Sequence, residues 1–299
     1  MIVFASSITE PDTYKRCAER GIQVATGGAG GADIEVMPHS AAGSLFRSYN
    51  LILDTLAERD DLEALVLVHQ DAEIVDADLC AKVREALRDP EVGLIGCVGA
   101  LDVRSIAWWE GSVTLASFVN RYEEHGGGDL ASFSWSWADA PPWAQTGEVE
   151  TLDGFVLVFS PWAVRGVRFD ESLSRFHGYD LDYCLQVREA GRKVVTADFR
   201  AIHHRPIEML PDPEEWIEAH ISVAEKWDGR MPPVGTAPGS WRERAHRAEA
   251  ERDVARAMAH TKVVELEARA RELRRGLAET RESLSWRLTA PLRWLGAAR

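Results

Sequence analysis

The sequence has 299 residues, 45% of them hydrophobic and 11 of them tryptophan, which excludes global disorder and allows one large domain with an appendage. The net charge of −14 argues against general nucleic-acid binding. The charge is unevenly spread, because Thr236–Arg299 holds 14 Lys and Arg against 9 Asp and Glu. An acidic body therefore precedes a basic tail.

The four cysteines form no CxxC pair, which favours free thiols in a reducing cytosol. The first ten residues, MIVFASSITE, have no basic segment typical of a signal peptide. No apolar run reaches the about 18–20 residues that span a bilayer. These features predict a cytoplasmic protein that is soluble or peripheral at the inner face of the membrane.

Strands and helices are predicted to alternate along much of the chain. Predicted strands cover residues 2–5, 34–37, 65–68, 92–98, 149–160 and 193–202, and predicted helices cover residues 11–20, 44–57, 76–88 and the stretch after residue 180. This alternation is typical of βαβ units and predicts an α/β domain with a mostly parallel sheet flanked by helices.

Residues 65–73, LVLVHQDAE, predict a buried strand that ends at His69, Gln70 and Asp71. In open α/β sheets, ligands bind just outside the carboxyl ends of such strands. Asp71 is therefore a candidate functional carboxylate, although a solvated Asp at an ordinary strand end fits this stretch equally well.

Residues 101–148 interrupt the alternation with five tryptophans, Trp109 among them. A long irregular segment inside a compact domain is more often functional than idle. Its aromatic rings can stack on sugar faces or pack a lid, and both interpretations stay open.

Four motifs follow one another in order: HQD after the apolar strand, LDGFVLVF, FHGYDLDYCLQVREAG and VTADFRAIHH. Together they resemble the family-two glycosyltransferases, in a bacterial subgroup with an HQD variant of the Asp-x-Asp motif. The resemblance covers about residues 1–205. It implies the GT-A nucleotide-diphospho-sugar transferase fold for Met1–Gly235.

The resemblance also implies a divalent metal, Mn²⁺ or Mg²⁺, which offsets the charge that develops on a leaving diphosphate. Asp71 and His203 match the family's metal ligands. His204 is an alternative to His203, because adjacent strand residues face opposite sides of a sheet. The residues expected to bind the nucleotide-diphosphate sugar are Ser6, His69, Gln70 and Asp71.

Asp180 matches the family's catalytic base, which takes the proton of the acceptor hydroxyl in an inverting transfer. Tyr179 stands where the family has Glu, and Asp182 is expected to cap the helix that follows. Residues expected near the acceptor are Asp153, Gly154, His177 and Trp109. The family's base-contacting Asp has no counterpart in residues 37–40, so the nucleotide stays open.

The tail, Thr236–Arg299, is predicted to be helical. Apolar residues at 263, 266, 270, 273 and 277 have coiled-coil spacing, which fits either a solvated single helix or a homodimer. Residues 285–296, SWRLTAPLRWLG, are basic and bear tryptophan, so they can lie at a membrane surface or pack on the first domain.

The leading hypothesis is a metal-dependent, inverting glycosyltransferase of the hexosyltransferase type. It would move a sugar from a nucleotide-diphosphate donor to a glycan or lipid-linked acceptor in cell-surface polysaccharide synthesis. One alternative is a non-catalytic glycan- or nucleotide-binding module on a degenerate transferase fold. A nucleotidyltransferase is disfavoured, because residues 6–12 carry no basic side chain for a triphosphate.

Overall fold

A computed structural model describes residues 1–27, 33–101, 103, 105–108, 113–122, 128–131, 146–204, 212–227, 230, 241–283, 285–286 and 289. The chain forms two compact units, Met1–Gly235 and Thr236–Arg299.

The strands of the first unit form three sheets. They are β1 Ile2–Ile8, β2 Ile34–Ser40, β3 Ala64–Val68, β4 Ala72–Ile74, β5 Val92–Gly96, β6 Val98–Leu101, β7 Val113–Ala116, β8 Phe118–Tyr122, β9 Gly128–Ala131, β10 Gly147–Glu148, β11 Thr151–Leu152, β12 Val156–Phe159, β13 Lys193–Thr196 and β14 Ala201–His204. The seven-stranded sheet has the order β10-β13-β5-β12-β3-β1-β2, and smaller sheets have the orders β11-β6-β7 and β4-β14-β8-β9.

Helices lie between the strands. They are α1 Pro11–Tyr14, a π-helical turn at Lys15–Glu19, α2 Arg20–Ala25, α3 Leu45–Ala57, α4 Leu79–Ala86, α5 Pro161–Gly166, α6 Tyr179–Glu189, α7 Pro213–Lys226 and α8 Trp241–Glu282. Helix α3 begins where Ser44 predicts it, since the Ser44 hydroxyl accepts a hydrogen bond from the Arg47 amide. Helix α7 was not predicted from the sequence.

Five strands of the large sheet, β13, β5, β3, β1 and β2, run in one direction, whereas β12 and β10 run against them. Each face of this sheet packs against a separate apolar core. Strands β3 and β12 are buried on both faces, which explains their uninterrupted apolar sequence. The predicted α/β class, with a mostly parallel sheet flanked by helices and a C-terminal helix, is confirmed.

Three predicted strands are divided in the structure. Residues 92–98 form β5 and β6, residues 149–160 contain β11 and β12, and residues 193–202 fall in β13 and β14. At each division the chain leaves the seven-stranded sheet for a smaller one, or enters it from one. The last division follows a bend at Arg200, whose φ is 39°. Hydrophobic patterning cannot show such a division, because both halves are buried.

Helix α8 accounts for most of the described part of the second unit. Among its described side chains, Val263, Val264, Leu266, Leu273 and Leu277 are exposed, Leu273 by 65% and Leu266 by 56%. Over the part of the chain that the structure describes, no helix combines the length and hydropathy that a membrane crossing requires.

Candidate active site

The site begins at the turn that carries the chain from β3 into β4. The Ala72 amide donates to the His69 carbonyl at 3.0 Å, and β4 starts at Ala72 in the four-stranded sheet. Asp71 therefore lies at the junction of two sheets, just outside the carboxyl end of β3. This is the edge at which α/β sheets bind ligands.

Strand β14 brings His203 to this junction. It pairs antiparallel with β4, and His203 lies opposite Ala72. His203 Nε2 is 3.6 Å from an Asp71 carboxylate oxygen, and its ring stacks on Phe155 with centroids 4.5 Å apart. The packing of Phe155 therefore holds the imidazole toward Asp71.

His204 lies on the other face of β14. Its Nε2 is 2.8 Å from the Glu73 carboxylate, which Arg20 also approaches at 3.3 Å. The alternation of side chains along a strand therefore separates the two histidines. Of the two, the structure places His203 with Asp71.

His69, Asp71 and His203 form a candidate metal centre, with one potential ligand atom from each residue and all three atoms within 4.8 Å of one another. Atoms bound to one ion at about 2.1 Å lie at most about 4.2 Å apart, so small side-chain movements would close the set. His69 was predicted from the sequence to bind the donor, and the structure also places it in the candidate metal centre. The available signal was its place in the HQD motif, since the turn between β3 and β4 keeps His69 and Asp71 at the same end of β3.

The electrostatics of the cluster suit a cation. Burial raises the pKa of Asp71, but the neighbouring His203 and His69 outweigh burial and bring that pKa to about 2. Burial lowers the pKa of His69, so its ring is neutral near pH 7. An ionised carboxylate and a neutral imidazole are the forms that bind metals.

Tyr179 fixes the orientation of the His69 ring. The Tyr179 hydroxyl is 2.7 Å from His69 Nε2, while Nδ1 of the same ring is 3.9 Å from Asp71. If Nδ1 is the ligand atom, the proton must be on Nε2, which then donates to the Tyr179 oxygen. Histidine ligands usually donate a hydrogen bond from the N–H of their second ring nitrogen.

Asp153 and Asp180 lie at the same edge of the sheet. Strand β12 runs antiparallel to β3 with Val156 opposite Val68, so the residues that precede β12 meet the end of β3. The Gly154 amide donates to Asp180 Oδ2 at 3.1 Å, and the Asp153 side chain accepts from the Phe155 amide. The sequence-predicted residues Asp153, Gly154 and Asp180 are thus brought together.

Asp180 has an unusual proton affinity for a carboxyl group. Burial, together with the charge of Asp153, raises its pKa to about 7, although the Leu181 and Gly154 amides oppose the shift. A carboxylate with a pKa near the working pH is suited to general-base catalysis.

Gly154 is required by the packing of Tyr179. A Cβ at position 154 would lie 1.8 Å from the Tyr179 hydroxyl oxygen, so no other residue fits beside that ring. The Asp-Gly pair therefore serves two purposes: it supplies a carboxylate near Asp180 and admits the tyrosine that holds His69.

A cavity of about 660 Å³ opens beside His69, Gln70 and Asp71. Gln70 anchors its wall, because its side-chain oxygen accepts from the Thr9 and Glu10 amides, each at 2.9 Å. Ser7 lines the cavity, whereas Ser6 is 1% exposed on the opposite face of β1. Ser6 was predicted to bind the donor, but Ser7 is the serine of β1 that lines the cavity.

The remaining predicted residues are less closely tied to the site. His177 is half-buried, and burial lowers its pKa although the carboxylates of Glu215, on α7, and Asp212, which caps α7, oppose this. It is not among the described residues that line the cavity. Trp109 lies outside the described residues, so its predicted acceptor role stays a prediction.

Asp182 does not cap α6. The residue at the cap position is Gly178, and Asp182 is fully buried, with its carboxylate 2.8 Å from Lys226 Nζ and from Trp227 Nε1. These bonds hold the end of α7 against α6. Asp182 thereby positions α7, whose Glu215, Glu218 and Ala219 line the cavity.

The chain is similar in sequence to known proteins. The profile of a family described as "Glycosyltransferase like family" matches residues 3–214. The streptomycin biosynthesis protein StrF of Streptomyces griseus is 32% identical over 165 residues, which cover 54% of this chain and 52% of StrF. The chain thus spans about half the length of that curated relative.

Three solved structures show a distant likeness. A197 from STIV has a TM-score of 0.40 and 12% identity, and the match covers 66% of this chain and 81% of A197. GalNAc-T7 with UDP, GalNAc and Mn²⁺ has a TM-score of 0.47 and 10% identity, with 76% of this chain and 47% of GalNAc-T7 covered. The mannosyltransferase PcManGT from Pyrobaculum calidifontis with GDP-Man and Mn²⁺ has a TM-score of 0.44 and 13% identity, with 78% of this chain and 66% of PcManGT covered. These scores are too low to support an inference about this chain.

Proposed function

The chain belongs to the Glycosyltransferase like family, and from that premise we propose that it is a metal-dependent, inverting glycosyltransferase of the hexosyltransferase type. It moves a sugar from a nucleotide-diphosphate donor to a glycan or lipid-linked acceptor in cell-surface polysaccharide synthesis. The observation that supports this best is the meeting, at one edge of the sheet, of the His69–Asp71–His203 cluster with Asp180.

The cluster has the donor chemistry of a divalent-metal site. Two imidazoles and one carboxylate suit Mn²⁺ better than Mg²⁺, which prefers oxygen ligands. His69, Asp71 and His203 would hold the ion. When bound, such an ion supplies a Lewis acid that offsets the charge developing on the leaving diphosphate.

Asp180 acts as the base in this proposal. The acceptor hydroxyl gives its proton to the Asp180 carboxylate as its oxygen forms a bond to the anomeric carbon, and the bond from that carbon to the diphosphate breaks. Burial, together with the charge of Asp153, raises the pKa of Asp180 to about 7, so that Asp180 is a stronger base than an ordinary aspartate. A single displacement of this kind inverts the anomeric centre.

The donor occupies the cavity beside Asp71 in this proposal. Ser7, Thr9 and Ser44 offer hydroxyl groups along its wall, and Arg175 is a cation among its lining residues. Residues with both donor and acceptor groups suit the ribose and base of a nucleotide. The identity of the base is for experiment to decide.

The tail carries two features that support binding partners. The exposed apolar residues Leu266, Leu273 and Leu277 on α8 support a weak homodimer, and the basic segment at residues 285–296, mostly outside the described residues, supports contact with the inner face of the membrane. A cytoplasmic location accords with both.

The test is a thermal-shift and turnover screen of the purified chain with nucleoside diphosphates and nucleotide sugars, with and without Mn²⁺. A ligand that binds the native state raises Tm. We expect at least one nucleoside diphosphate to raise Tm only when Mn²⁺ is present, and the matching nucleotide sugar to turn over.

Asp71→Asn should lose the Mn²⁺-dependent rise in Tm, and Asp54→Asn, which alters an exposed carboxylate paired with Arg168, should keep it. Nucleotide binding that is independent of metal and without turnover would instead establish the non-catalytic binding module.

A further inference from the structure

Asn120, on β8, is a buried amide with unused hydrogen-bonding capacity. The residue is 1% exposed. Within the described part of the chain, neither its Oδ1 nor its Nδ2 has a hydrogen-bond partner. Buried polar groups are nearly always paired, because leaving one unpaired forfeits its hydration. The described residues therefore leave this amide without the partner that a buried polar group requires.

The sheet places Asn120 beside the candidate metal centre. Strands β8 and β14 are parallel neighbours, and Asn120 lies opposite His203. Neighbouring strands are about 4.8 Å apart, and paired residues project from the same face. Asn120 is therefore one strand spacing from a residue of the cluster.

Side chains on either side of Asn120 confirm which face it occupies. Phe118, two residues earlier, packs on Phe155 with ring centroids 5.2 Å apart, and Phe155 stacks on His203. Arg121, one residue later, pairs with His204 and approaches Glu73 on the other face. Asn120 thus shares the face of His203, and Phe155 links this face to Asp153, whose carboxylate binds the Phe155 amide.

The chemistry of the amide selects among possible ligands. A metal ion would use Oδ1 and leave Nδ2 unpaired, whereas a phosphate would use Nδ2 and leave Oδ1 unpaired. A pair of hydroxyl groups satisfies both, because one can donate to Oδ1 while the other accepts from Nδ2. Sugar rings present such pairs of hydroxyl groups. The match holds even if the oxygen and nitrogen of the amide exchange places, because each hydroxyl group can both donate and accept.

We propose that Asn120 binds a pair of hydroxyl groups on a sugar held beside His203. This inference rests on the proposed function and adds a substrate-recognition residue to it. Donor and acceptor sugars share the chemistry, so the experiment has an arm for each.

The variant is Asn120→Leu, which keeps a similar volume and removes the polar atoms. Because an unpaired buried amide destabilises the free protein, Tm of the variant should equal or exceed that of the parent. Ser117→Ala is the matched control, since Ser117, also buried, donates to Asp198 and should lower Tm when truncated.

In the donor arm, Kd is measured with Mn²⁺ for UDP-glucose and GDP-mannose, and for UDP and GDP as sugar-free probes. Asn120→Leu should raise the Kd of the nucleotide sugar about tenfold, which corresponds to the loss of one or two hydrogen bonds. The Kd of the nucleoside diphosphate should be unchanged. In the acceptor arm, methyl glucoside and methyl mannoside are the probe acceptors, and their KM should rise about tenfold if the acceptor sugar is the one bound.

Two outcomes overturn this inference and leave the proposed function standing. In the first, the parent binds a nucleotide sugar and Asn120→Leu changes neither the donor Kd nor the acceptor KM. In the second, Asn120→Leu lowers Tm as Ser117→Ala does and leaves sugar binding intact. If the parent binds no nucleoside diphosphate and no nucleotide sugar in the full screen described above, the proposed function fails and this inference fails with it.

Discussion

Asp71 and Asp180 lie at the same edge of one sheet, yet their surroundings push their proton affinities in opposite directions. The imidazoles of His203 and His69 outweigh burial at Asp71 and bring its pKa to about 2. Burial and the Asp153 carboxylate raise the pKa of Asp180 to about 7. The difference in pKa arises from the surroundings, which are burial and neighbouring charges, since the two side chains are identical.

The two carboxyl groups suit two different tasks, metal binding and proton transfer. A carboxylate that stays ionised at every working pH can hold a cation, and one that titrates near pH 7 can exchange a proton with a substrate. Tyr179 lies between the two regions, because its hydroxyl contacts His69 while the next residue in the chain is Asp180. The two regions are thus adjacent but chemically distinct.

The strongest test of the comparison is Asp180→Asn. An amide cannot take a proton, so transfer should fall by about 10²–10⁴-fold, the usual contribution of a general base. Binding of Mn²⁺ with a nucleoside diphosphate should be unchanged, because the metal cluster is intact. The rate and the metal-dependent shift in Tm are measured on the same preparation. Full transfer activity in this variant would contradict the assignment of the base.

A smaller effect is expected from Tyr179→Phe. Without the hydroxyl, His69 loses the partner that fixes its ring, and loss of such an outer contact lowers metal affinity by about 10–100-fold. Titration with Mn²⁺ measures the change. Tyr183→Phe is the matched control, since Tyr183 is on the same helix and bonds to the Ala163 carbonyl away from the cluster. Equal Mn²⁺ affinity in the two variants would show that Tyr179 does not support the cluster.

The smallest expected effect is in the pH dependence of stability. Because the pKa of Asp180 is raised from 3.8 to about 7, the folded state binds a proton that the unfolded state has lost. This contribution is present at low pH and disappears as the pH rises through about 7. The pKa of Asp71 is lowered, so its contribution is present above about pH 4 and is lost as the pH falls through about 2.

Urea midpoints at pH 5 and pH 8, measured without divalent metal, test these signs. The parent should lose more stability between the two pH values than Asp180→Asn, because the variant has no group to ionise in that window. Identical losses would mean that the raised pKa of Asp180 is wrong.

Much of the fold and of the candidate site could be predicted from residue patterns. Apolar runs identified β1, β3 and β12, Ser44 marked the start of α3, and the motif order indicated the family. The same motifs named Asp71, Asp153, Asp180 and His203, which the structure brings to one edge. The strand and helix predictions succeed because strand burial and helix capping are local or periodic properties of the sequence, whereas the site residues were implied by the resemblance of the motifs to the family.

Other features depended on how the chain folds back on itself. His203 and not His204 faces Asp71, because β14 pairs with β4 in one particular register. Asp182 has the sequence signature of a helix cap, yet it binds Lys226 and Trp227 from a distant helix. Gln70 binds the chain after β1, and Asn120 lies opposite His203 on a strand that no motif marked.

The sequence by itself determined which chemical groups the site can use, because side-chain type and strand position are written in the chain. Only the tertiary structure decided which groups meet and with what proton affinity. Pairing between strands distant in sequence sets the distances, and burial beside Asp153 or beside two imidazoles sets the pKa. Neither quantity is a property of any single stretch of residues.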